Sequence, residues 1–142
     1  MSHDFVRLAE ISHVPVDTAA VAALVADERA GAVVTFVGAV RNHDGGRDVD
    51  SLSYSSHPSA ADVLREVAEE FRGRDGVHAI AVVHRVGELA IGDVALFAAV
   101  AASHRGQAFN CASDLVDRVK ATVPIWKHQH YTDGTSDWSN LP

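Results

Sequence analysis

Lysine occurs at only two places in the chain, Lys120 and Lys127, and both lie in the segment 120–127 (KATVPIWK). The other side chains that carry a permanent positive charge are arginines, ten in number. Arginine stays protonated in proteins, whereas a lysine amine can lose its proton when it is desolvated or lies near another cation. Two lysines in one short segment therefore indicate a site that uses an amine as acid, base or nucleophile. The alternative is chance in an arginine-rich composition.

A second candidate site lies at residues 103–106 (SHRG), where a helix is predicted to begin directly after a buried strand. The backbone N–H groups of a first helical turn attract phosphate or carboxylate. Arg105 adds a bidentate donor for an anion, and His104 adds a donor that titrates near neutral pH. In the alternative interpretation, Ser103 only caps the helix and Arg105 is solvated.

The predicted helix separates these two sites. From residue 104 to residue 120 it is about 24 Å long, so Arg105 and Lys120 are not expected to share a pocket within one subunit. Either the ligand is extended or the site is built at a subunit interface. Lys120 also has a simpler interpretation, because Asp117 lies one turn away and can form a weak ion pair with it on a solvated helix face.

Three other positions carry weaker signals. Arg41 ends a buried strand just before a glycine-containing loop, a common position for ligand-binding residues. Cys111 could be a sulfur carrier, but its place on an apolar helix stripe is typical of an inert core thiol. His128 and His130 could bind a metal, but no further ligands with suitable spacing surround them. The sequence has no phosphate-loop, dinucleotide-binding or serine-hydrolase motif.

The composition fits one globular domain over residues 1–142. With 19 acidic and 12 basic residues, the formal charge is −7, the opposite sign to that of a typical duplex nucleic-acid binder. The single cysteine excludes an internal disulfide and fits a reducing cytosol. The N-terminus lacks the layout of a signal peptide, and the most apolar run, 94–102, is too short to span a bilayer. We therefore expect a cytoplasmic protein.

Hydrophobic periodicity predicts an α+β fold, with a mostly antiparallel sheet and three helices packed against it. The predicted strands are 5–11, 32–40, 49–55, 77–86 and 94–102, and the predicted helices are 18–28, 58–71 and 104–122. Residues 42–46 (NHDGG) are a turn signal, so the strands on either side are expected to form a long hairpin. Residues 87–93 are expected to be a connection. The tail, 128–142, is expected to be turn-rich, with Trp138 as its anchor.

Five segments of the sequence form a recognisable set: 31–38 (GAVVTFVG), 40–43 (VRNH), 83–89 (VHRVGEL), 103–105 (SHR) and 120–127 (KATVPIWK). In order and spacing they resemble the catalytic (large) subunit family of molybdopterin synthase. The last two segments are the most specific, and the resemblance covers the chain from about residue 31 to residue 129. It implies an α/β-hammerhead type of α+β fold.

The resemblance also implies a sulfur transfer. The family converts cyclic pyranopterin monophosphate into molybdopterin, and the sulfur arrives as a thiocarboxylate on the C-terminal Gly-Gly of a small ubiquitin-like partner subunit. The large subunit is expected to be a homodimer with one small subunit at each end, a heterotetramer that uses no metal or other cofactor. The site is expected at the dimer interface, with Arg105 or His104 supplied by the second copy.

Residue by residue, Lys120 and Lys127 match the family's catalytic lysines. We expect Lys120 to act as acid and base and Lys127 to hold the thiocarboxylate or an acyl intermediate, although these roles could be exchanged. The family often has lysine where this chain has Ala39, which leaves Arg41 to carry the local charge. The residues expected to bind the substrate are Arg41, His104, Arg105, Ala39, Val40, His128 and Gln129.

Two other functions remain open at the level of sequence. A non-catalytic module that binds phosphate or pterin would keep Arg41, His104 and Arg105 but would not need the lysines. A persulfide sulfurtransferase would use Cys111 as its nucleophile. Neither function explains why the only lysines of the chain lie together in one short segment.

Overall fold

The computed structural model describes residues 4–140. Within this part of the chain, nine strands and three helices follow one another. In order they are β1 (Val6–Ser12), α1 (Thr18–Ala23), β2 (Ala32–Ala39), β3 (His43–Asp44), β4 (Arg47–Ser56), α2 (Ala60–Glu69), β5 (Val77–Arg85), β6 (Gly87–Ala90), β7 (Val94–Ala102), α3 (Arg105–Thr122), β8 (Ile125–Tyr131) and β9 (Ser136–Asn140).

Four strands form the first sheet, in the order β1-β5-β7-β2. β1 runs parallel to β5, and the other two pairs are antiparallel. The central strands β5 and β7 are buried along nearly their whole length, as expected for apolar strands that are covered on both faces. Helices α2 and α3 pack on one face of this sheet, and α1 packs on part of the other.

Helix α3 packs through one apolar stripe. The buried residues of this stripe have the predicted i, i+3, i+4 spacing and are Ala108, Cys111, Ala112, Leu115 and Val119. The helix ends before Pro124, because proline has no N–H to continue a helix and disfavours helical backbone in the residue before it. Val123 accordingly has an extended conformation, with φ −73° and ψ 127°. Lys120 and Lys127 lie on either side of this junction.

The second sheet has the order β3-β4-β8-β9, and β6 also pairs with β4. Strands β4 and β8 are antiparallel, with Tyr54 opposite Lys127 and Leu52 opposite Gln129. Side chains that are directly opposite in such a pair lie on the same face of the sheet. Because side chains alternate along a strand, Lys127 and Gln129 share one face and His128 lies on the other.

The predicted fold class is confirmed, since two mostly antiparallel sheets pack with three helices in the described residues. The predicted long hairpin is wrong, because β2 pairs with β7 in the first sheet and β4 belongs to the second. The turn signal instead closes the short β3–β4 hairpin. There Gly45 and Gly46 have φ values of 58° and 79°, as a two-residue turn with positive φ at both positions requires.

Three other predicted features differ from the structure. Helix α1 ends at Ala23 rather than at residue 28. Strand β6 lies within the predicted connection 87–93. The predicted turn-rich tail contains the second half of β8 and all of β9. Trp138 is 62% exposed, so it does not anchor the tail in a core. Residues 141–142 of that tail, and residues 1–3 of the expected single domain, lie outside the described residues. None of the helices within residues 4–140 has both the length and the apolar character needed to cross a membrane.

Candidate active site

The two lysines differ from the arginines in their pairing. Eight of the ten arginines form a salt bridge with an aspartate or glutamate. Within residues 4–140, neither Lys120 nor Lys127 forms one, and the alternative pair between Lys120 and Asp117 is not made. Both lysines are partly buried. Most of the arginines therefore serve ion pairing, and the two amines are left available for chemistry.

Tyr54 and His84 link the surroundings of the two lysines. Tyr54 is the cross-strand neighbour of Lys127, and its ring meets the ring of His84 edge to face, with the ring centroids 4.9 Å apart. The positive charge of Lys120 acts on His84 in turn. The two lysines therefore neighbour the same pair of rings, since Lys127 on β8 is paired with Tyr54 and the charge of Lys120, near the end of α3, acts on His84.

His84 is buried near the lysines and stays neutral in the folded protein. It is only 1% exposed, and its Nδ1 lies 2.7 Å from the carbonyl oxygen of Arg85. That oxygen can only accept, so we assign the ring proton to Nδ1 and leave Nε2 as an acceptor. Burial above all, together with the charge of Lys120, lowers the pKa of His84 to about 4. Burial also raises the pKa of Tyr54, so both rings are uncharged at neutral pH.

We expect the stability of the protein to fall between pH 7 and pH 5, and replacement of His84 by phenylalanine to remove part of this dependence. Folded His84 stays neutral down to about pH 4, whereas a histidine of an unfolded chain takes up a proton near pH 6.5. The unfolded state thus binds more protons in this interval, and His84 alone lowers the free energy of unfolding by about 2 kcal/mol. Urea unfolding at both pH values measures the difference. An equal pH dependence in the variant and the wild type would contradict the assignment.

A second cluster forms around Asp44, at the end of β3. Its carboxylate accepts a hydrogen bond of 2.7 Å from Nε2 of Gln129 and lies 3.4 Å from Nη2 of Arg41. The hydrogen bond from Gln129, with smaller contributions from the charges of Lys127 and Arg41, lowers the pKa of Asp44. The structure therefore brings Arg41, Gln129 and Lys127, three of the predicted site residues, together around one carboxylate.

Three other predicted binding residues lie differently. Ala39 is exposed at the end of β2. The side chain of Val40 packs in a buried cluster with Leu52, and its N–H and carbonyl bond to the backbone of residues 93 and 92. His128 lies on the face of β8 opposite to Lys127 and stacks on Trp138, with the ring centroids 4.1 Å apart and the planes 4° from parallel. A role in binding stays a prediction for these three residues.

The start of α3 lies at the far end of the helix from Lys120. His104 rather than Ser103 is the N-cap residue, and its N–H donates to Oε1 of Gln107 at 3.1 Å. The side chain of Arg105 is exposed and forms no hydrogen bond or salt bridge within residues 4–140. Fifteen residues of helix separate Arg105 from Lys120, which corresponds to about 22 Å. Within one chain, Arg105 and Lys120 therefore do not lie in the same site.

The thiol of Cys111 does not fit a role as sulfur carrier. Its side chain is completely buried in the main core beneath α3, and burial raises the pKa of the thiol to about 11. A thiol without access to solvent and without a tendency to ionise is a poor nucleophile. In residues 4–140, moreover, no three His, Cys, Asp or Glu side chains gather in an arrangement that could hold a metal ion.

Sequence reasoning missed three residues of this site, namely Tyr54, His84 and Asp44. His84 and Asp44 lie in or next to segments that carried the family resemblance, and this was the one available signal. Their contacts with the lysines and with Gln129 arise from strand register and from packing between the two sheets, which a single sequence does not specify.

The fold and these clusters define a class of protein, a small α+β protein in which two lysines without salt bridges lie near side chains that can donate hydrogen bonds to an anion. The family model described as MoaE protein matches residues 11–122. The molybdopterin synthase catalytic subunit of Nostoc sp. (strain PCC 7120 / SAG 25.82 / UTEX 2576) is 34% identical over 133 residues, which cover 92% of this chain and 81% of that relative. The chain belongs to the MoaE family.

Solved structures agree with this assignment. The crystal structure of molybdopterin synthase from Staphylococcus aureus matches with a TM-score of 0.84 and 31% identity, over 94% of this chain and 97% of that one. The expected α/β-hammerhead type of fold is thereby confirmed. A protein–protein complex of subunits 1 and 2 of molybdopterin-converting factor from Helicobacter pylori matches with a TM-score of 0.63 over 79% of this chain and 73% of that one, at 20% identity, and shows the fold alone.

Proposed function

We propose that this chain is the catalytic subunit of a molybdopterin synthase. It transfers sulfur from the thiocarboxylated C-terminus of a small partner subunit to cyclic pyranopterin monophosphate, and so forms the dithiolene of molybdopterin. The observation that carries this proposal is the pair of lysines without salt bridges, which neighbour the buried ring of His84 and the partly buried ring of Tyr54. Membership of the MoaE family supports it.

The chemistry requires proton transfers and charge stabilisation. The sulfur of the thiocarboxylate forms a bond to a carbon of the substrate as a carbon–oxygen bond breaks, and the departing oxygen takes up a proton. Water then cleaves the acyl–sulfur bond, which leaves the sulfur on the product and a carboxylate on the donor. We assign the proton transfers to Lys120. Lys127 stabilises the negative oxygen that develops on the acyl carbon, and an exchange of the two roles is the alternative.

The proposed assembly is a homodimer of this chain with one small ubiquitin-like subunit, ending in Gly-Gly, at each end. The separation of about 22 Å between Arg105 and Lys120 along one helix supports a site that is completed by a second copy. The free guanidinium of Arg105 and the exposed His104 would then bind the phosphate of the substrate from the partner's side.

We further propose that residues 1–142 form one domain that works in the cytoplasm. The Nostoc relative and the Staphylococcus aureus structure each align with more than nine-tenths of the chain. The single buried thiol fits a reducing compartment.

Reconstitution tests the proposed function directly. We expect the purified chain, mixed with a thiocarboxylated donor subunit and cyclic pyranopterin monophosphate, to yield molybdopterin while the donor is converted to its carboxylate form. The matched control is the same mixture with a donor that ends in an ordinary carboxylate, which has no sulfur to give. If the donor and the substrate bind but no molybdopterin forms, the chain is a binding module instead.

A further inference from the structure

The carboxylate of Asp44 lies where the donors of the candidate site converge. Its Oδ2 accepts the hydrogen bond from Gln129, and its Oδ1 faces Arg41. The charge of Lys127 also acts on it. Three residues that are suited to binding an oxyanion therefore face an anion that belongs to the protein itself.

The contact with Gln129 is the stronger part of this arrangement. Gln129 is 5% exposed, and a hydrogen bond to an ionised acceptor is stronger than one between neutral groups. The side chain of Arg41 is 65% exposed and lies 3.4 Å from Asp44, so this ion pair contributes little. The side-chain amide of Gln129 is thus the principal hydrogen-bond partner of Asp44.

Asp44 is attached to a part of the fold that can move without disturbing the core. It is the last residue of the two-residue strand β3, which pairs only with the start of β4. Gly45 and Gly46 follow, and apart from the adjoining residues of the chain no described atom lies within 4 Å of the place where a Cβ would stand on either of them. Displacing Asp44 therefore changes a short exposed hairpin and breaks no apolar packing.

We propose that the carboxylate of Asp44 occupies, in the free enzyme, the position in which this site binds the oxyanion of its ligand. This carboxylate binds the side-chain amide of Gln129 and faces Arg41, and it is displaced when a phosphate or a C-terminal carboxylate arrives. The identity of these two ligands rests on the proposed function, whereas the exchange itself rests on the contacts of Asp44.

This exchange makes Asp44 a specificity-determining residue. An oxyanion that contacts only this cluster must compete with Asp44. Its apparent affinity is therefore the intrinsic affinity multiplied by the fraction of free molecules in which Asp44 is already displaced. A ligand that is also held elsewhere, such as the tail of a docked subunit or the ring system of a pterin, has the additional binding energy to displace it. Free phosphate is therefore kept from occupying the site.

The test compares the wild type with Asp44→Asn, which removes the charge but keeps an oxygen that can accept from Gln129. Asp50→Asn is the matched control, because Asp50 is an exposed carboxylate of the neighbouring strand β4 and its replacement changes the net charge equally. Inorganic phosphate and a short peptide that ends in Gly-Gly are titrated separately into each protein. The side-chain amide signal of Gln129 is followed by NMR.

We expect Asp44→Asn to bind at least one of the two oxyanions about three- to ten-fold more tightly than the wild type, and Asp50→Asn to bind both as the wild type does. Tighter binding of phosphate identifies the substrate's phosphate as the displacing group, and tighter binding of the peptide identifies the donor tail. Equal or weaker binding of both anions by Asp44→Asn overturns the proposal. Because the titration measures no turnover, its failure leaves a positive reconstitution intact, and an inactive reconstitution leaves the titration interpretable.

Discussion

Replacing Lys120 by arginine is expected to lower the rate of molybdopterin formation at least about 100-fold, because a guanidinium keeps the charge but cannot give up its proton near neutral pH. An amine that acts only by its charge would tolerate this change. Lys120 is partly buried and forms no salt bridge within the described residues. The variant should therefore fold with nearly unchanged stability, and the loss should appear in turnover.

Two comparisons make this result interpretable. Arg65→Lys is the control for an exchange between arginine and lysine, because Arg65 is exposed on α2 and forms no salt bridge with any residue of the described range 4–140. Lys127→Arg separates the two roles, since an amine that only stabilises negative charge should tolerate arginine better than one that transfers a proton. Turnover of Lys120→Arg close to that of the wild type would refute proton transfer by Lys120. If Lys120→Ala and Lys127→Ala were also fully active, the lysines would not be catalytic.

Mixing two inactive variants, Lys120→Ala and Arg105→Ala, is expected to restore activity. If Arg105 reaches the site from the second copy, each mixed dimer contains one site with both native residues and one site with neither. Random re-association of a symmetric dimer then yields about a quarter of the wild-type number of intact sites. The variants are mixed under conditions that exchange subunits, and molybdopterin formation is measured before and after the exchange.

A second mixture provides the control for this experiment. Lys120→Ala and Lys127→Ala change residues that approach the same pair of rings within one chain, so their mixed dimers contain no intact site and should stay inactive. Recovery in this second mixture would mean that the two lysines of one site come from different chains. An absence of recovery in the first mixture would place Arg105 at the site of its own chain or outside the reaction altogether.

The elements that sequence reasoning predicted well are those that local chemistry determines. The long apolar run of β7 and the stripe of α3 ending before Pro124 lie within one residue of the predicted bounds, because periodicity and proline act on neighbouring residues. The prediction that the strands on either side of residues 42–46 form a long hairpin was wrong. Strand β2 pairs instead with β7, more than fifty residues away along the chain. A turn signal indicates where the chain reverses but does not choose between partner strands.

The missed strand β8 has a similar explanation. Its inward face carries Ile125, Lys127, Gln129 and Tyr131, so polar residues occupy positions where an ordinary strand would carry apolar ones. The alternation that identifies a strand is therefore lost where the site is built. The lysines and Arg41 could be singled out by residue type and position. Tyr54, His84 and Asp44 could not, because their part in the site depends on which strands meet.

The use of arginine rather than lysine for ion pairs over most of the chain has a consequence for side reactions. A thioester formed during sulfur transfer is an acylating agent, and a neutral lysine amine elsewhere on the surface would compete with water for the acyl group. The guanidinium groups stay protonated and do not compete in this way. Among the side chains, acylation of amines is thus confined to Lys120 and Lys127, both in the segment to which we assign the reaction.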